Sequence, residues 1–292
     1  MSQFKKTYFT SDTHGFLDEL IAELARENIV DEEGKWIAGD DVQLIHLGDT
    51  VDRGPKSIET FHYIRDLQEQ LLPDQIIRLI GNHEFAYCGG PQFYGLESHV
   101  WQLTEVMVED GKSGKLQFAY AFMPENEDEH RLCVHAGLDP EIVAVDSMDI
   151  AEKADYINEL GRDFFESCVL SENTYPKYVM GGIRKPVPAL LGGISRSRGG
   201  FDMFAGVTWA DFYEDLLEKQ DLMDYKLIVG HTIQWDGIHL TATGKIYGIN
   251  VPYGCTQLLI YDHEAGEYST TELWLSDEQK TKNILYNINR RN

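Results

Sequence analysis

Short apolar runs recur along the chain, and five of them end in a cluster of Gly, Asp, Asn or His. Thr7 to Thr10 leads into Ser11-Asp12-Thr13-His14-Gly15, Val42 to Leu47 into Gly48-Asp49, and Ile76 to Ile80 into Gly81-Asn82-His83-Glu84. Leu132 to Val134 leads into His135-Ala136-Gly137, and Leu227 to Val229 into Gly230-His231-Thr232. Runs this short, bounded by turn residues, predict buried strands. Between them, Leu17, Leu20, Ile21 and Leu24 form an i, i+3, i+4, i+7 stripe, and Ile58, Phe61, Ile64, Leu67 and Leu71 form another. Both predict amphipathic helices. Pro55, tolerated at a first helical position, marks the start of the second after Gly54. Alternating strands and helices imply a layered α/β fold. Ligands of open α/β sheets gather beyond the carboxyl ends of strands, where all five clusters lie, so one shared site is expected.

The C-terminal third reads differently. Lys245 to Ile249, Thr256 to Tyr261 and Tyr268 to Leu275 predict successive strands, with turns at Gly254 and at Glu264-Ala265-Gly266. A second, antiparallel-leaning sheet packed on the first is the expectation. Residues 171–206 hold Pro176, Pro186, Pro188 and two Gly-Gly pairs near Arg196 and Arg198. They read as a loop-rich insertion, and long loops in compact domains tend to be functional or disordered. With no repeat, low-complexity tract or linker in view, residues 1–292 are expected to form one domain.

Composition narrows the function. Apolar residues make up 42% of the 292, enough for a substantial core. The formal charge is −24, which opposes a polyanionic nucleic acid or an anionic membrane as partner. The N-terminus has two lysines but no apolar signal core, and no stretch reaches the ~18 apolar residues of a membrane span. Cys88, Cys133, Cys168 and Cys255 lack paired spacing and read as free buried thiols. A soluble, cytoplasmic protein is expected.

The strand-end side chains carry the chemistry. Asp12, His14, Asp49, Asn82, His135 and His231 offer carboxylate, amide and imidazole donors, the set preferred by borderline-to-hard divalent ions. Six ligands, with Asp49 bridging through both oxygens, suit two ions ~3.5–4 Å apart, an arrangement used in phosphatases and nucleases. Arg53 offers a planar fork for phosphate oxygens. His83 can protonate a leaving alkoxide, and Asp52 can hold its tautomer.

The strings S-D-T-H-G, G-D-T-V-D-R-G, G-N-H-E, V-H-A-G and G-H-T, in this order, resemble the calcineurin-like metallophosphoesterases. G-D-T-V-D-R-G followed by G-N-H-E resembles the phosphoprotein phosphatase (Ser/Thr phosphatase) branch. The resemblance implies a four-layer α-β-β-α sandwich, with two mixed sheets flanked by helices and a binuclear metal centre at their edge. It implies one metal on Asp12, His14 and Asp49, and a second on Asp49, Asn82, His135 and His231. A bridging hydroxide would attack phosphorus, with His83 and Asp52 as the general-acid pair. Mn²⁺ is the expected ion, with Fe or Zn²⁺ as alternatives. Ile233 stands where many other metallophosphoesterases carry a further histidine, again as in the phosphoprotein phosphatase branch.

Two departures qualify the resemblance. His135-Ala136-Gly137-Leu138 is more like bacterial protein phosphatases and diadenosine tetraphosphate hydrolases than the H-G-G of eukaryotic members. Those relatives also carry a phosphate-binding arginine, often after a tryptophan, before the G-H motif. Here Thr208-Trp209-Ala210-Asp211 ends in aspartate, leaving Arg196 or Arg198 to supply the charge from the insertion. Tyr247 and Tyr253 fall where the family has a late active-site loop, and Tyr253 is a candidate substrate contact.

The remaining polar residues have plainer readings. His46, His62, His99, His130, His239 and His263 lack motif context and read as surface or satisfied core histidines, and Glu125 to Glu129 as a solvated loop. Glu84 either caps its helix or supports a ligand. Three functions remain open. The first is a metal-dependent phosphatase acting on phosphoserine or phosphothreonine of proteins, with phosphotyrosine allowed. The second is a dinucleoside polyphosphate hydrolase, and the third a catalytically silent metal-binding scaffold. The acidic surface favours a neutral or basic phosphopeptide over a highly charged nucleotide.

Overall fold

In a computed structural model, described at residues 3–175, 177, 179 and 186–274, alternate residues of each strand serve different layers. Strand β1 (Lys6–Thr10) lies parallel to β2 (Val42–His46), β2 to β3 (Ile76–Leu79), and β3 to β4 (Leu116–Gln117). One face of this sheet, Tyr8, Leu44 and Ile76, packs on Leu20 and Leu24 of α1 (Leu17–Arg26) and Ile64 and Leu67 of α2 (Ser57–Gln70). The opposite face, Phe9, Ile45, Ile77 and Leu79, packs against a second sheet. Period-two alternation thus buries both faces, which is why the runs are nearly continuous in apolar character.

The second sheet contains β5 (Ala119–Phe122), β6 (Arg131–Val134), β7 (Leu227–Val229), β8 (His239–Leu240) and β9 (Ile246–Gly248), in the order β5-β6-β7-β9-β8. The central strands β6, β7 and β9 run parallel, and the edge strands β5 and β8 run antiparallel to them. Its inner face gives Phe122, Cys133 and Ile228 to the intersheet core. Its outer face gives Leu132, Val134 and Leu227 to a cluster with Met107 and Val108 of α4 (Thr104–Ser113) and Ile157, Phe164 and Phe165 of α5 (Ile150–Glu166). Two mixed sheets flanked by helices result.

The chain passes from one sheet to the other at Phe118. The backbone N–H groups of Phe118 and Ala119 both donate to Asn158 Oδ1 of α5, at 2.9 and 3.0 Å. Donors that leave one ladder before joining the next are thereby satisfied.

The C-terminal strands differ from expectation. Only β9 belongs to the second sheet; β10 (Leu259–Asp262) and β11 (Glu267–Thr270) extend the first sheet antiparallel to β1. Their apolar residues fit both sides of that sheet: Ile260 faces the helices, while Leu259 and Tyr261 face the intersheet core. The last expected strand ends early at Thr270, Trp274 forms an isolated bridge with Thr256, and Leu275 lies outside the described residues. The site helix α3 spans Asn82–Tyr87; in the insertion, the described part holds α6 (Ala189–Gly192) and a 3₁₀ turn over Arg196–Arg198. Pro176 and residues 180–185 lie outside it. All four cysteines are buried, and none forms a disulfide.

Candidate metal centre and active site

The five strand ends meet along one edge of the sandwich, and the backbone there is strained. Of eight non-glycine residues with positive φ among those described, six are Asp12, His14, Asp49, Asp52, Arg53 and His231. Asp and His tolerate the left-handed region better than most residues, but each such position still costs of order 1–3 kcal/mol. Small neighbours permit the close approach. A Cβ on Gly81 would sit 2.0 Å from Asp49 Oδ1, and one on Gly230 would sit 1.9 Å from Ser11 Oγ. Substitution at either glycine would push the ligand loops apart.

Hydrogen bonds to backbone carbonyls settle the tautomers of two histidines. His14 Nδ1 lies 2.8 Å from Val51 O, and His135 Nδ1 lies 2.8 Å from Leu47 O. A carbonyl only accepts, so both Nδ1 atoms carry hydrogen and both neutral rings present an Nε2 lone pair. His135 Nε2 faces Asn82 Oδ1 at 3.2 Å, His231 Nδ1 at 3.2 Å and Asp49 Oδ2 at 3.4 Å. His14 Nε2 faces Asp49 Oδ2 at 3.6 Å and Asp12 Oδ1 at 3.9 Å.

Asp49 joins the two groups through one oxygen rather than both. Its Oδ1 accepts the His83 backbone N–H at 3.0 Å, which leaves Oδ2 as the atom common to His14 and His135. Asp12 Oδ2 accepts the Ser11 hydroxyl and the His231 N–H, while its Oδ1 is buried without a hydrogen-bond partner. An orphaned carboxylate oxygen among converging lone pairs is what a cation would satisfy.

The electrostatics agree. Burial, with the charge of Asp49 beside it, pushes Asp12 up to about 7. Burial pulls His14 down to about 4. Burial also opposes charge on His135, but Asp49 and Asp12 outweigh it and lift the ring to about 9. The buried Asp12 carboxylate thus lacks compensating charge, while Asp49, despite its burial, is held low by the imidazoles around it; a divalent ion would supply that charge and displace the His135 proton. The donor set contains only N and O, which fits Mn²⁺, Fe or Zn²⁺ and no soft ion.

His83 stands apart from this convergence. Distance alone groups it with His14 and Asp49, but its Nε2 has Asp49 Oδ2 near only at 3.9 Å. Its Nδ1 bonds Asp52 Oδ2 at 2.6 Å, and an ionised carboxylate only accepts, so that nitrogen carries hydrogen. Burial disfavours the charged ring, yet Asp49 and Asp52 together raise its affinity for a proton.

The model of the calcineurin-like phosphoesterases matches residues 5–235, which span the ligand-bearing loops from Asp12 to His231. The chain belongs to this family. An uncharacterized protein of Schizosaccharomyces pombe is 25% identical over 255 residues, 82% of this chain and 70% of its own length. An asymmetrical bis(5'-nucleosyl)-tetraphosphatase of Bacillus velezensis is 28% identical over 154 residues, 49% of this chain and 60% of that protein. A serine/threonine-protein phosphatase of Saccharomyces cerevisiae is 32% identical over 122 residues, 39% of this chain and 30% of that protein. The chain therefore spans under two thirds of both named enzymes. A cold-active protein-tyrosine phosphatase of Shewanella shares the fold with a TM-score of 0.58 at 16% identity, covering 92% of this chain and 81% of that one.

The arginines of this phosphoesterase stand near different members of the cluster, Arg53 on the His14 side and Arg198 beside His231. The exposed Arg53 guanidinium lies 5.7 Å from the Tyr253 ring, which meets His14 edge-on at 5.0 Å. Arg198 donates to Thr232, next to His231, and pairs with Asp211 Oδ2 at 3.0 Å. Asp211 ends the Trp209-Ala210-Asp211 stretch, where the resemblance leads to the expectation of an arginine, and it holds instead an arginine that comes from the insertion. Ser195 and Ser197 anchor that turn on Asp215, at 3.0 and 2.6 Å. Arg196 is exposed, and no described contact ties it to the ligand cluster. Phe93 meets His83 edge-on at 4.7 Å, and Trp209 lies 5.8 Å from His231, so aromatic rings wall the site. Tyr247 is elsewhere, stacked on Arg131 and Tyr268 between the sheets.

Glu84 does both things expected of it. It accepts the Gly81 N–H at its helix start, and the N–H groups of Asp49, Thr50 and Val51 plus the Thr50 hydroxyl. His46, a satisfied core histidine, accepts the Gly48 N–H at Nδ1, so its Nε2–H points to Thr13 Oγ1 at 3.1 Å. It thereby links the first two ligand loops. Motif context gave it no weight because its partner Thr13 lies in the loop after another strand.

Proposed function

We propose that this phosphoesterase is a metal-dependent phosphatase that hydrolyses phosphomonoesters of proteins, at phosphoserine or phosphothreonine, with phosphotyrosine accommodated. Asp12, His14 and Asp49 would hold one divalent ion, and Asp49, Asn82, His135 and His231 a second. When bound, the ions would acidify water and neutralise phosphoryl charge. Arg53 and Arg198 approach from two sides and can bind phosphoryl oxygens through their forks. Asp211 keeps Arg198 at its post without filling all its donors: its Nε is buried without a partner. His83 Nε2 gives its proton to the leaving oxygen, while Asp52 holds Nδ1–H and stabilises the charged ring.

The pair His83–Asp52, joined at 2.6 Å beside the cluster, carries the reading. An alkoxide leaving from serine or threonine is strongly basic and needs a proton, so a dedicated acid is worth a large factor, typically 10²–10⁴. A nucleotide leaving from a polyphosphate is far less basic and gains less.

The deciding experiment compares rates on phosphoserine, phosphothreonine and phosphotyrosine peptides with diadenosine tetraphosphate, in Mn²⁺. Phosphopeptides should win; a dinucleotide preferred by orders of magnitude would end the protein phosphatase reading. That second reading, a dinucleoside polyphosphate hydrolase, is supported by the Bacillus velezensis likeness and by His135-Ala136-Gly137. A silent scaffold would bind two metals yet fail to turn over p-nitrophenyl phosphate.

A further inference from the structure

Asp52 presents two oxygens, and each has a different task. Oδ2 holds His83 Nδ1. Oδ1 accepts the hydroxyl of Tyr87 at 2.6 Å and the backbone N–H of Glu97 at 3.0 Å. The same Glu97 N–H lies 2.7 Å from the Tyr87 oxygen, so tyrosine, carboxylate and backbone amide close a triangle. Tyr87 is fully buried on α3, and its ring meets Trp101 edge-on at 4.9 Å. Burial and then the Asp52 carboxylate push the hydroxyl well above its ordinary value, so it stays a donor.

Glu97 extends the brace. Its Oε1 accepts the Arg53 backbone N–H at 3.0 Å, and its Oε2 accepts the Ser57 hydroxyl at 3.2 Å. Asp52 and Arg53 are consecutive non-glycine residues at φ 65° and 76°. Two adjacent left-handed residues persist only where surroundings over-determine them. Tyr87 and Glu97 provide that restraint, from α3 and from the loop that follows it.

We propose that Tyr87 is a positioning residue for protonation of the leaving group: by saturating Asp52 Oδ1 together with the Glu97 N–H, it fixes Oδ2 and hence the direction of His83. The proposal rests on the reading of His83 as general acid. It commits Tyr87 to one kind of kinetic effect. A poorly basic leaving group, such as p-nitrophenolate, departs without a proton, whereas the alkoxide of serine does not. Losing the brace should therefore harm alkyl esters selectively.

The test compares the wild type, Tyr87→Phe and His83→Ala on p-nitrophenyl phosphate and on a phosphoserine peptide, in Mn²⁺. For Tyr87→Phe, kcat on the phosphopeptide should fall about ten-fold, the order seen when groups that orient functional side chains are removed. KM and metal content should stay unchanged, and p-nitrophenyl phosphate turnover should stay within about two-fold. Equal loss on both substrates, or none on either, would overturn the role of Tyr87. If His83→Ala also fails to discriminate the substrates, the general-acid reading falls and takes this proposal with it. If only Tyr87→Phe fails, the general acid stands. A wild-type NMR measurement covers the case of a variant that does not fold. A braced dyad should show the His83 Nδ1–H as a slowly exchanging downfield proton, and rapid exchange would equally overturn the proposal.

Discussion

Arg198 and Asp211 form an ion pair at 3.0 Å, joining the insertion to the stretch that follows Trp209. The cation reaches the site from another segment, and the aspartate becomes its anchor. Arg198→Ala should lower kcat/KM on a phosphopeptide by about 10- to 100-fold, the size of one charge-assisted hydrogen bond of about 1.5–3 kcal/mol. Asp211→Ala should lower it less, and Arg196→Ala should leave it unchanged. If Arg198→Ala has no effect on a phosphomonoester, Arg198 does not bind substrate.

Asp49 Oδ2 lies 3.6 Å from His14 Nε2 and 3.4 Å from His135 Nε2. Asp49→Ala should therefore reduce metal content at both positions, whereas His14→Ala should spare one. Elemental analysis after dialysis separates these outcomes. Chelation of the wild type should abolish turnover and lower the melting temperature, because ligands that bind only the folded state stabilise it. Loss of a single equivalent in Asp49→Ala would contradict the shared role.

Glu84 accepts four backbone N–H groups and a hydroxyl. Glu84→Ala leaves buried donors without partners, at about 1–3 kcal/mol each where water cannot reach them. The urea midpoint should drop sharply, by at least about 3 kcal/mol of stability. Glu84→Gln, which keeps one acceptor oxygen, should lose less.

His263 predicts the pH dependence of stability away from the site. Its Nε2 lies 2.9 Å from Thr7 Oγ1, whose hydroxyl is already donated to Gln43, so the neutral ring carries hydrogen on Nε2. Burial lowers its affinity for a proton, against the opposing charges of Asp262 and Glu125. The unfolded chain then binds the proton first. Stability is full above the ordinary histidine value of 6.5, falls as pH drops through it, and stops falling below the folded value. His263→Gln should flatten the part of the urea-midpoint profile that falls as pH drops through 6.5. An unchanged profile would rule the residue out.

The convergence of the candidate ligands was legible because metal chemistry needs particular side chains, and a parallel strand delivers its next residues to a common edge. Asp12, His14, Asp49, Asn82, His135 and His231 could thus be read one strand at a time. The sheet to which β10 and β11 belong could not. Period-two alternation says that Ile260 and Tyr261 face opposite ways, but the partner strand is more than 240 residues away in sequence, at Thr7 and Tyr8. Tyr87 escaped for a similar reason. Nothing near it in the chain announces a tie to Asp52, and an apolar-looking helix position conceals one polar atom.

The left-handed residues at the site have a consequence for engineering. Asp52 and Arg53 hold conformations that glycine would adopt without strain, at φ 65° and 76°. Arg53→Gly would relieve that strain while removing a proposed substrate contact. Selection for heat resistance alone would therefore accept changes that extinguish turnover, and a search for a hardier phosphoesterase must score activity at every round.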